Sequence, residues 1–490
     1  MSDYFSTRSK SVYCDSRRAV LNGLASDGGL YVPAKIPGVD YRQFIGLSYP
    51  ELAKRILQVW FDDFSSRDIS DACDGAYIGH FDTPAVCPIT RVGGKYILEL
   101  FHGETCAFKD VALSVLPRLM SKARASVHMD QKILILTATS GDTGSAAMNG
   151  FRNVEGTGII TFFPNNGVSP VQRKQMVCMD GENVTCFAVN GNFDDCQTGV
   201  KHAFATLEKR DDLVYSSANS INIARLAPQI VYYFSTYLTM LRDGCISEDE
   251  KLNFVVPTGN FGDILAGWYA KQMGLPIGKL ICASNSNRVL TDFIENGVYD
   301  RRRKFLRTYS PSMDILISSN LERLLYHMMN EDTQSVSGCM KELSENGVYQ
   351  VSDTIRKKIR NDFEAYSFDD AATCETISAF YKQCGYVLDP HSAVAMAAEM
   401  AYEKAHPTEK CVVLSTASPF KFPGCVCRAL GIEQDENSFT TLKLISEKSG
   451  TAVPDQLSKL EDLEELHTGV ISVKDINDCV KSNSAQLIQR

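Results

Sequence analysis

Residues 133–151 read ILILTATSGDTGSAAMNGF, and this stretch establishes the fold class. It opens on an apolar, β-branched run, ILILTA, of the kind found in buried parallel strands. A loop of small polar residues follows, and SAAMNGF then has helical spacing. Similar strand-like runs, each followed by small residues and a helical pattern, are GIITFFP (158–164), NFVVP (253–257), KLICAS (279–284) and CVVLST (411–416). This alternation predicts βαβ units and an α/β fold.

The alternation also divides the chain into regions. Residues 1–90 precede it and mix short apolar runs with turns, so we predict a separate N-terminal domain there. Residues 91–430 carry the strand–helix pattern and are predicted to form the core. Within the core, the polar stretch of about 300–375 has no strand-like run and predicts a helical insertion. Residues 431–490 are predicted to be a C-terminal extension.

Composition and charge favour a metabolic protein. The 490 residues are 44% hydrophobic, and 50 basic against 59 acidic side chains give a net charge of −9. An acidic surface of this kind disfavours nucleic acid and anionic membranes as partners. The 16 cysteines include no CxxC pair, which disfavours a zinc site, and the opening MSDYFSTRSK has no apolar segment. We therefore expect reduced thiols, a cytoplasmic location and no metal.

Two loops of small residues are candidates for anion binding. TATSGDTG (137–144) follows the first strand, and PTGNFGD (257–263) follows another. Backbone N–H groups at a helix N-terminus attract an anion, and the helix dipole adds about 0.3–1 kcal/mol. The first loop has neither the pattern of a P-loop nor that of GxGxxG. The alternative interpretation is that each is a tight βα turn whose side chains cap the next helix.

A lysine in an apolar segment is a candidate nucleophile. Lys109 lies in HGETCAFKD (102–110), directly after Ala-Phe and before an aspartate. Desolvation lowers the pKa of a lysine and makes its amine able to form a Schiff base. The alternative is an ordinary surface lysine. Two anion-binding loops and an amine nucleophile are together what a phosphorylated aldehyde cofactor requires.

These three segments resemble motifs of the pyridoxal-phosphate enzymes of the tryptophan-synthase-β fold type, and among them the long bacterial and fungal threonine synthases. Five further motifs occur in the family's order: GNFDDCQ (191–197), SSANSINIARL (216–226), PSMDI (311–315), DPHSAVA (389–395) and STASPFKFP (415–423). The resemblance extends from about residue 4 to about residue 430, with no match found in 431–490. It implies fold type II: two open, twisted, mostly parallel α/β subdomains with pyridoxal 5'-phosphate in the cleft between them.

The resemblance also implies roles for individual residues. Lys109 would be the Schiff-base lysine, and Thr416 would place its hydroxyl beside the pyridine nitrogen. The cofactor phosphate is assigned to Gly259, Asn260, Phe261, Gly262 and Asp263. The substrate carboxylate is assigned to Ser140, Gly141, Asp142 and Thr143, and the substrate phosphate to Asn219, Ser220, Asn222 and Arg225. Asn219 and Ser220 have the alternative role of capping the next helix, Lys421 is expected to be solvated, and His391 to be structural.

The implied activity is that of threonine synthase, which converts O-phospho-L-homoserine and water to L-threonine and phosphate. The reaction is a γ-elimination followed by a β-addition, and it is the last step of threonine biosynthesis. Three alternatives stay open: an elimination-only phospho-lyase that releases 2-oxobutyrate, as in animal threonine-synthase-like proteins; a serine or threonine dehydratase; and a non-catalytic pyridoxal-phosphate-binding protein. The intact GNFGD and SSANSINIAR segments favour the synthase. We expect a monomer or a small homo-oligomer.

Overall fold

The described chain is built around two large, mostly parallel sheets. The computed structural model describes residues 3–488, and one of its large sheets has six strands and the other five. A three-stranded antiparallel sheet lies near the N-terminus, and a two-stranded ribbon is also present. The α/β class predicted from the strand–helix alternation is confirmed. No helix in the described range is long and apolar enough to cross a membrane.

Residues 3–488 contain sixteen strands, and β7, β10 and β15 are buried along their whole length, as continuous apolar runs predict. In chain order the strands are β1 (Tyr4–Ser6), β2 (Ser9–Cys14), β3 (Tyr31–Pro33), β4 (Ile89–Val92), β5 (Lys95–Glu99), β6 (Lys132–Ala138), β7 (Thr157–Pro164), β8 (Val184–Asn190), β9 (Leu213–Ser216), β10 (Leu252–Pro257), β11 (Ile277–Ser284), β12 (Val298–Asp300), β13 (Val348–Gln350), β14 (Phe363–Ser367), β15 (Cys411–Ser415) and β16 (Val470–Ser472).

The same residues form twenty α-helices, many of which begin at a polar capping side chain such as Asp389. In chain order the helices are α1 (Ser16–Asn22), α2 (Tyr49–Trp60), α3 (Ser66–Tyr77), α4 (Lys109–Leu113), α5 (Leu116–Ser126), α6 (Asp142–Phe151), α7 (Pro170–Val177), α8 (Phe193–Thr206), α9 (Ile223–Arg242), α10 (Gly262–Gln272), α11 (Val289–Asn296), α12 (Leu321–Met328), α13 (Thr333–Asn346), α14 (Asp353–Asp362), α15 (Asp370–Cys384), α16 (Pro390–Ala405), α17 (Pro423–Leu430), α18 (Ser438–Ser449), α19 (Asp455–Ser458) and α20 (Ile476–Ile488).

The six-stranded sheet positions two of the predicted motifs side by side. Its order is β14-β11-β10-β15-β5-β4, and it is parallel except where β4 meets β5. Because β10 and β15 are parallel neighbours, the loops that follow them leave the same edge of the sheet. In open α/β sheets, ligands bind outside the carboxyl ends of the strands. Residues 258–261 and 416–422 therefore lie where a ligand site is expected.

The five-stranded sheet includes a strand from the C-terminal extension. Its order is β16-β8-β7-β6-β9, and all of its pairs are parallel. Strand β16 pairs with β8, and α20 packs on α8, where a Cβ on Gly199 would lie 2.2 Å from the side chain of Ile476. The extension is thus part of the second sheet and its helical cover.

The polar stretch of about 300–375 is mainly helical and also carries two short strands. Helices α12, α13 and α14 lie within it. Strand β14 pairs with β11 as the edge of the six-stranded sheet, and β13 pairs with β12 in the ribbon. One face of β14 is more buried than the other, so its sequence, FEAYS, alternates in burial over its first four residues instead of forming a continuous apolar run.

The N-terminal region packs against the core. The ring of Trp60 lies 5.0 Å from that of Tyr269 on α10, and the ring of Tyr41 lies 5.2 Å from that of Tyr237 on α9. Aromatic pairs at these distances stabilise by about 0.5–1.5 kcal/mol beyond the area they bury. The domain boundaries at residues 90 and 430 remain predictions.

Candidate active site

The loop between β6 and α6 presents unpaired backbone donors. Gly141 has φ 137°, and a Cβ there would lie 2.5 Å from side-chain atoms of Gln172, so the position requires glycine. The hydroxyl of Thr139 accepts from two N–H groups of the loop and holds its shape. Within the described chain three N–H groups here form no hydrogen bond: those of Ser140, Asp142 and Thr143. Such donors at the start of a helix attract an anion.

The loop between β10 and α10 is a second array of this kind. Phe261 is in the left-handed region, with φ 62°, and turns the chain into α10. A Cβ on Gly259 would lie 3.0 Å from the carbonyl oxygen of Ser312 and 3.1 Å from Cα of Met313. Among residues 3–488, no partner is found for the five successive N–H groups from Gly259 to Asp263. The geometry suits a phosphate held by backbone donors.

Lys109 lies between these loops at the start of α4. Its side chain is buried, and its Nζ is 3.7 Å from Oδ2 of Asp142 and 3.5 Å from Oγ of Ser312. The ammonium also lies 4.6 Å from the centre of the Phe108 ring. Burial lowers the pKa of Lys109, although the charge of Asp142 opposes this shift. A lysine in such a site is a stronger nucleophile at neutral pH than an exposed one.

Asp142 is a buried carboxylate with several donors around it. Its Oδ1 accepts from Nζ of Lys421 at 2.9 Å and from Nε2 of Gln172 at 2.9 Å. Burial alone would raise the pKa of Asp142, but the charges of Lys421 and Lys109 hold it well below its usual value. The Asp142 side chain is therefore ionised, and only its N–H group can serve a substrate carboxylate. The prediction that Lys421 is solvated is wrong, since that side chain is 0% exposed.

Arg225 is a buried cation without an acidic partner. It lies on α9, is 4% exposed, and donates from Nη1 to the carbonyl oxygen of Ala218. Its Nε has no hydrogen-bond partner, and no carboxylate of the described residues pairs with it. Burial lowers the pKa of Arg225 to about 10, and its charge acts on the pKa of Lys109. An uncompensated buried cation is costly, so this position favours an anionic ligand.

Known proteins match this chain over the segments that form the site. Three family models match: "Threonine synthase N terminus" at residues 3–77, "Pyridoxal-phosphate dependent enzyme" at 93–417 and "Threonine synthase, C-terminal" at 392–480. The threonine synthase of Pseudomonas aeruginosa is 38% identical over 95% of this chain and 98% of its own length. The crystal structure of pyridoxal-phosphate-bound threonine synthase from Brucella melitensis has a TM-score of 0.89 and 39% identity, covering 100% of both chains.

The chain belongs to the threonine synthase family of pyridoxal-phosphate-dependent enzymes. It is also 39% identical to "Threonine synthase-like 1" of Macaca fascicularis over 96% of its residues, but it spans only 65% of that relative's length. The fold type II architecture is confirmed. The conclusion that the resemblance ends near residue 430 is wrong, because the C-terminal family model reaches residue 480.

The site residues fit the cofactor of this family. The unpaired N–H groups from Gly259 to Asp263 match a phosphate, and the buried amine of Lys109 matches an aldehyde. Thr416 is 6% exposed, and its carbonyl oxygen accepts from the N–H of Phe108 at 2.8 Å, next to Lys109. In the part of the chain described, its hydroxyl forms no hydrogen bond, which leaves it available to a ring nitrogen. The individual residue roles remain predictions.

Two residues near the site were not assigned from the sequence. The hydroxyl of Ser312 donates to Oδ2 of Asp142 at 3.3 Å and lies beside Lys109; the PSMDI motif contains it but gives no sign of this contact. Asn320 is fully buried, and its Nδ2 has no hydrogen-bond partner. That Nδ2 would lie 3.3 Å from a Cβ on Gly262, so it borders the phosphate-binding loop. No local pattern in the sequence marks Asn320.

Some predicted substrate-binding residues have structural partners. Asn222, rather than Asn219 or Ser220, caps α9: its Oδ1 accepts from the N–H of Ala224 at 2.9 Å. Its Nδ2 donates to the carbonyl oxygen of Val20 at 2.8 Å, so both polar ends of this side chain are occupied. Asn219 is exposed. The assignment of these three residues to the substrate phosphate remains a prediction.

His391 has structural partners on both sides of its ring. Its Nδ1 is 2.7 Å from Oδ1 of Asp389, and its Nε2 accepts from the N–H of Ser312 at 3.2 Å. This arrangement is that of a neutral ring whose Nδ1–H donates to Asp389. It holds the Ser312 segment against the site, in agreement with the structural role expected for this histidine.

Proposed function

We propose that this protein is a threonine synthase that converts O-phospho-L-homoserine and water to L-threonine and phosphate. Arg225 is the observation that carries the proposal, because it is a buried guanidinium with no acidic partner among the described residues. A substrate phosphate would compensate this charge with a bidentate contact. Serine and threonine, the substrates of a dehydratase, have no phosphate and would leave the cation unpaired.

Other groups of the site are suited to the α-carboxylate of the substrate and to its Cα and Cβ protons. The unpaired N–H groups of Ser140, Asp142 and Thr143 support binding of the α-carboxylate. Pyridoxal phosphate, when bound, supplies the electron sink that makes Cα and Cβ protons acidic. Lys109, a buried amine whose pKa is lowered by burial, would take and return these protons, and a positioned base of this kind contributes about 10²–10⁴-fold to a rate.

Product identity tests the proposal. We would incubate the purified protein with O-phospho-L-homoserine and measure L-threonine, 2-oxobutyrate and inorganic phosphate. We expect threonine and phosphate in equal amounts, and no product from unphosphorylated homoserine, because it lacks the anion that Arg225 requires. Phosphate with 2-oxobutyrate would replace the proposal with the elimination-only alternative that the sequence leaves open. Absence of phosphate release would exclude both.

A cytoplasmic location belongs to the same proposal. All sixteen cysteines are free thiols, and eleven of them are buried, as suits a reducing compartment. A monomer or small homo-oligomer, without a nucleic-acid or membrane partner, remains our expectation. Size-exclusion chromatography with light scattering would measure the mass of the assembly.

A further inference from the structure

Lys421 is a second buried lysine at the site, and every contact of its ammonium is with the segments around Lys109. It follows β15, is 0% exposed, and lies 2.9 Å from Oδ1 of Asp142. It also donates to the carbonyl oxygen of Thr105 at 2.6 Å, in the segment that leads into Lys109. From its position after β15, the side chain therefore contacts both α6 and the segment that precedes α4. A buried ammonium with these fixed partners has little freedom to move.

The two lysines share Asp142 unequally. Lys421 forms a direct ion pair with Oδ1, and Gln172 donates to the same oxygen. Lys109 faces Oδ2 at 3.7 Å, which is longer than a hydrogen bond, and Ser312 donates to that oxygen. The charge of Lys421 thus offsets that of the ionised Asp142, which weakens the attraction between Asp142 and a protonated Lys109.

We propose that Lys421 is a positioning residue that, by occupying Asp142, favours the neutral amine form of Lys109. The inference rests on the role of Lys109 in the proposed function, since a protonated lysine can neither attack an aldehyde nor accept a proton. Lys421 itself touches no reacting atom in this scheme. Its effect passes through the carboxylate of Asp142, whose full charge would otherwise stabilise the Lys109 ammonium.

Other charged groups also reach Lys109. Arg225 on α9 adds a positive charge that disfavours protonation of Lys109, as Lys421 does. Asp263 on α10 is coupled to Lys109, and the hydroxyls of Tyr232 and Tyr233 donate to one of its oxygens. Burial raises the pKa of Asp263 to about 6, so this acid is ionised at pH 8 and favours protonation of Lys109. Two cations, Lys421 and Arg225, therefore disfavour protonation of Lys109, and two carboxylates, Asp142 and Asp263, favour it. Because these effects oppose one another, removal of Lys421 is expected to change the protonation of Lys109.

The test measures the protonation of Lys109 in the cofactor-free protein. We would label lysines with acetic anhydride in short pulses between pH 6 and 11 and measure acetylation of Lys109 by peptide mass spectrometry. The exposed Lys357 serves as the internal reference in each sample. In the parent protein, we expect a midpoint below the value of about 10.4 for an ordinary lysine. A midpoint at or above that value would overturn the proposal without any variant.

Three variants isolate the role of Lys421. Lys421→Met removes the ammonium, and we expect the Lys109 midpoint to rise by about one to two pH units, with a roughly 10–100-fold slower labelling at pH 7.5. Lys421→Arg keeps the charge and should stay near the parent. Asp142→Asn/Lys421→Met removes both members of the ion pair, so neither is left buried without its partner, and should reverse the rise.

The outcomes separate this proposal from the one on function. Equal midpoints in Lys421→Met and in the double variant would show that the carboxylate of Asp142 does not act on Lys109, and would overturn the inference. If Lys421→Met does not fold, Lys421→Gln takes its place: the Lys109 midpoint should again rise above that of the parent, and a midpoint equal to the parent's would overturn the inference. The labelling needs no substrate, so a wrong substrate assignment would leave these results unchanged.

Discussion

The charged residues of this site differ mainly in whether an oppositely charged group lies next to them. Asp142 has Lys421 as a close partner, whereas Arg225 has no carboxylate within the described residues. Asp263 is buried with a hydrogen bond to only one of its oxygens. Loss of either member of the Asp142–Lys421 pair would leave a buried charge without its partner, while the unpaired charge of Arg225 favours an anionic ligand. The residue-scale predictions follow from these unequal pairings.

Arg225→Ala should reduce kcat/KM for O-phospho-L-homoserine by about 10–150-fold, because a charge-assisted contact to phosphate is worth ~1.5–3 kcal/mol. Arg225→Lys should recover only part of this, since a point charge lacks the planar fork. The dissociation constant of the cofactor, measured in the same preparations, should not change. Arg302→Ala is the control, because Arg302 is exposed and pairs with Asp300 at 2.9 Å. Equal loss of cofactor and substrate affinity would contradict the assignment.

Asp263→Asn should gain stability relative to the parent as the pH rises. Burial raises the pKa of Asp263 to about 6, whereas an unfolded aspartate titrates near 3.9. The folded state therefore binds more protons in this window. The contribution of Asp263 to stability is fully present below about pH 4 and is lost as the pH rises through about 6.

Denaturant unfolding of the cofactor-free protein between pH 4 and pH 7 measures this effect. The difference in unfolding free energy, Asp263→Asn minus parent, should rise by about 2–3 kcal/mol over this range. Asp194→Asn, at an exposed position on α8, is the control and should show no such trend. A difference for Asp263→Asn that does not vary with pH would contradict the raised pKa.

At the scale of elements, the site depends on strand–loop–helix units whose loops follow parallel strands. The β10–α10 unit brings together five N–H groups that have no partner among residues 3–488, and Gly259 lets the loop approach the Ser312 segment. The β6–α6 unit presents three more. Neither loop needs a charged side chain to attract an anion, because the donors and the helix dipole suffice.

Gly259→Ala should weaken cofactor binding by about 10-fold or more, since its Cβ would meet the Ser312 carbonyl at 3.0 Å and displace at least one phosphate donor. Titration of the cofactor-free protein with pyridoxal phosphate measures the change. Gly338→Ala is the matched control: this glycine is exposed within α13, and a Cβ there meets nothing within 4 Å. The control should leave cofactor affinity unchanged and stabilise by about 0.4–1 kcal/mol. Equal affinity in both variants would contradict the close approach.

At the scale of the whole molecule, segments that are far apart in the chain pair in the same sheets and pack in the same hydrophobic cores. Strand β16 extends the five-stranded sheet, and β14 ends the six-stranded one. The N-terminal region packs on α9 and α10, which carry Arg225 and Asp263. The C-terminal extension is therefore expected to stabilise the catalytic core.

Ile476→Ala tests this dependence. Ile476 is 0% exposed and lies against Gly199 of α8, so truncation should destabilise the protein by about 2–5 kcal/mol. Thermal unfolding, with retained activity measured after mild heating, reports the loss. Ile78→Ala is the matched control, because Ile78 is 61% exposed and should change stability by less than about 0.5 kcal/mol. Unchanged thermal stability of Ile476→Ala would contradict a stabilising contact between the extension and α8.

The local features of this chain are readable from contiguous residues. Apolar runs of five to eight residues predict β7, β10 and β15, and the glycines of the two loops predict the turns that follow β6 and β10. Eight ordered motifs are enough to indicate the family and the site lysine, Lys109. These signals are local because strand periodicity and turn conformation depend on neighbouring residues.

Contacts between residues far apart in the chain are determined only by the tertiary structure. Lys421 resembles a solvated lysine in the sequence, and only the meeting of the β15 loop with α6 makes it the partner of Asp142. Asn320, Ser312 and strand β16 likewise acquire their roles from segments far away in the chain. A side chain's burial and the charge opposite it depend on how whole sheets pack, and no short pattern of residues encodes that arrangement.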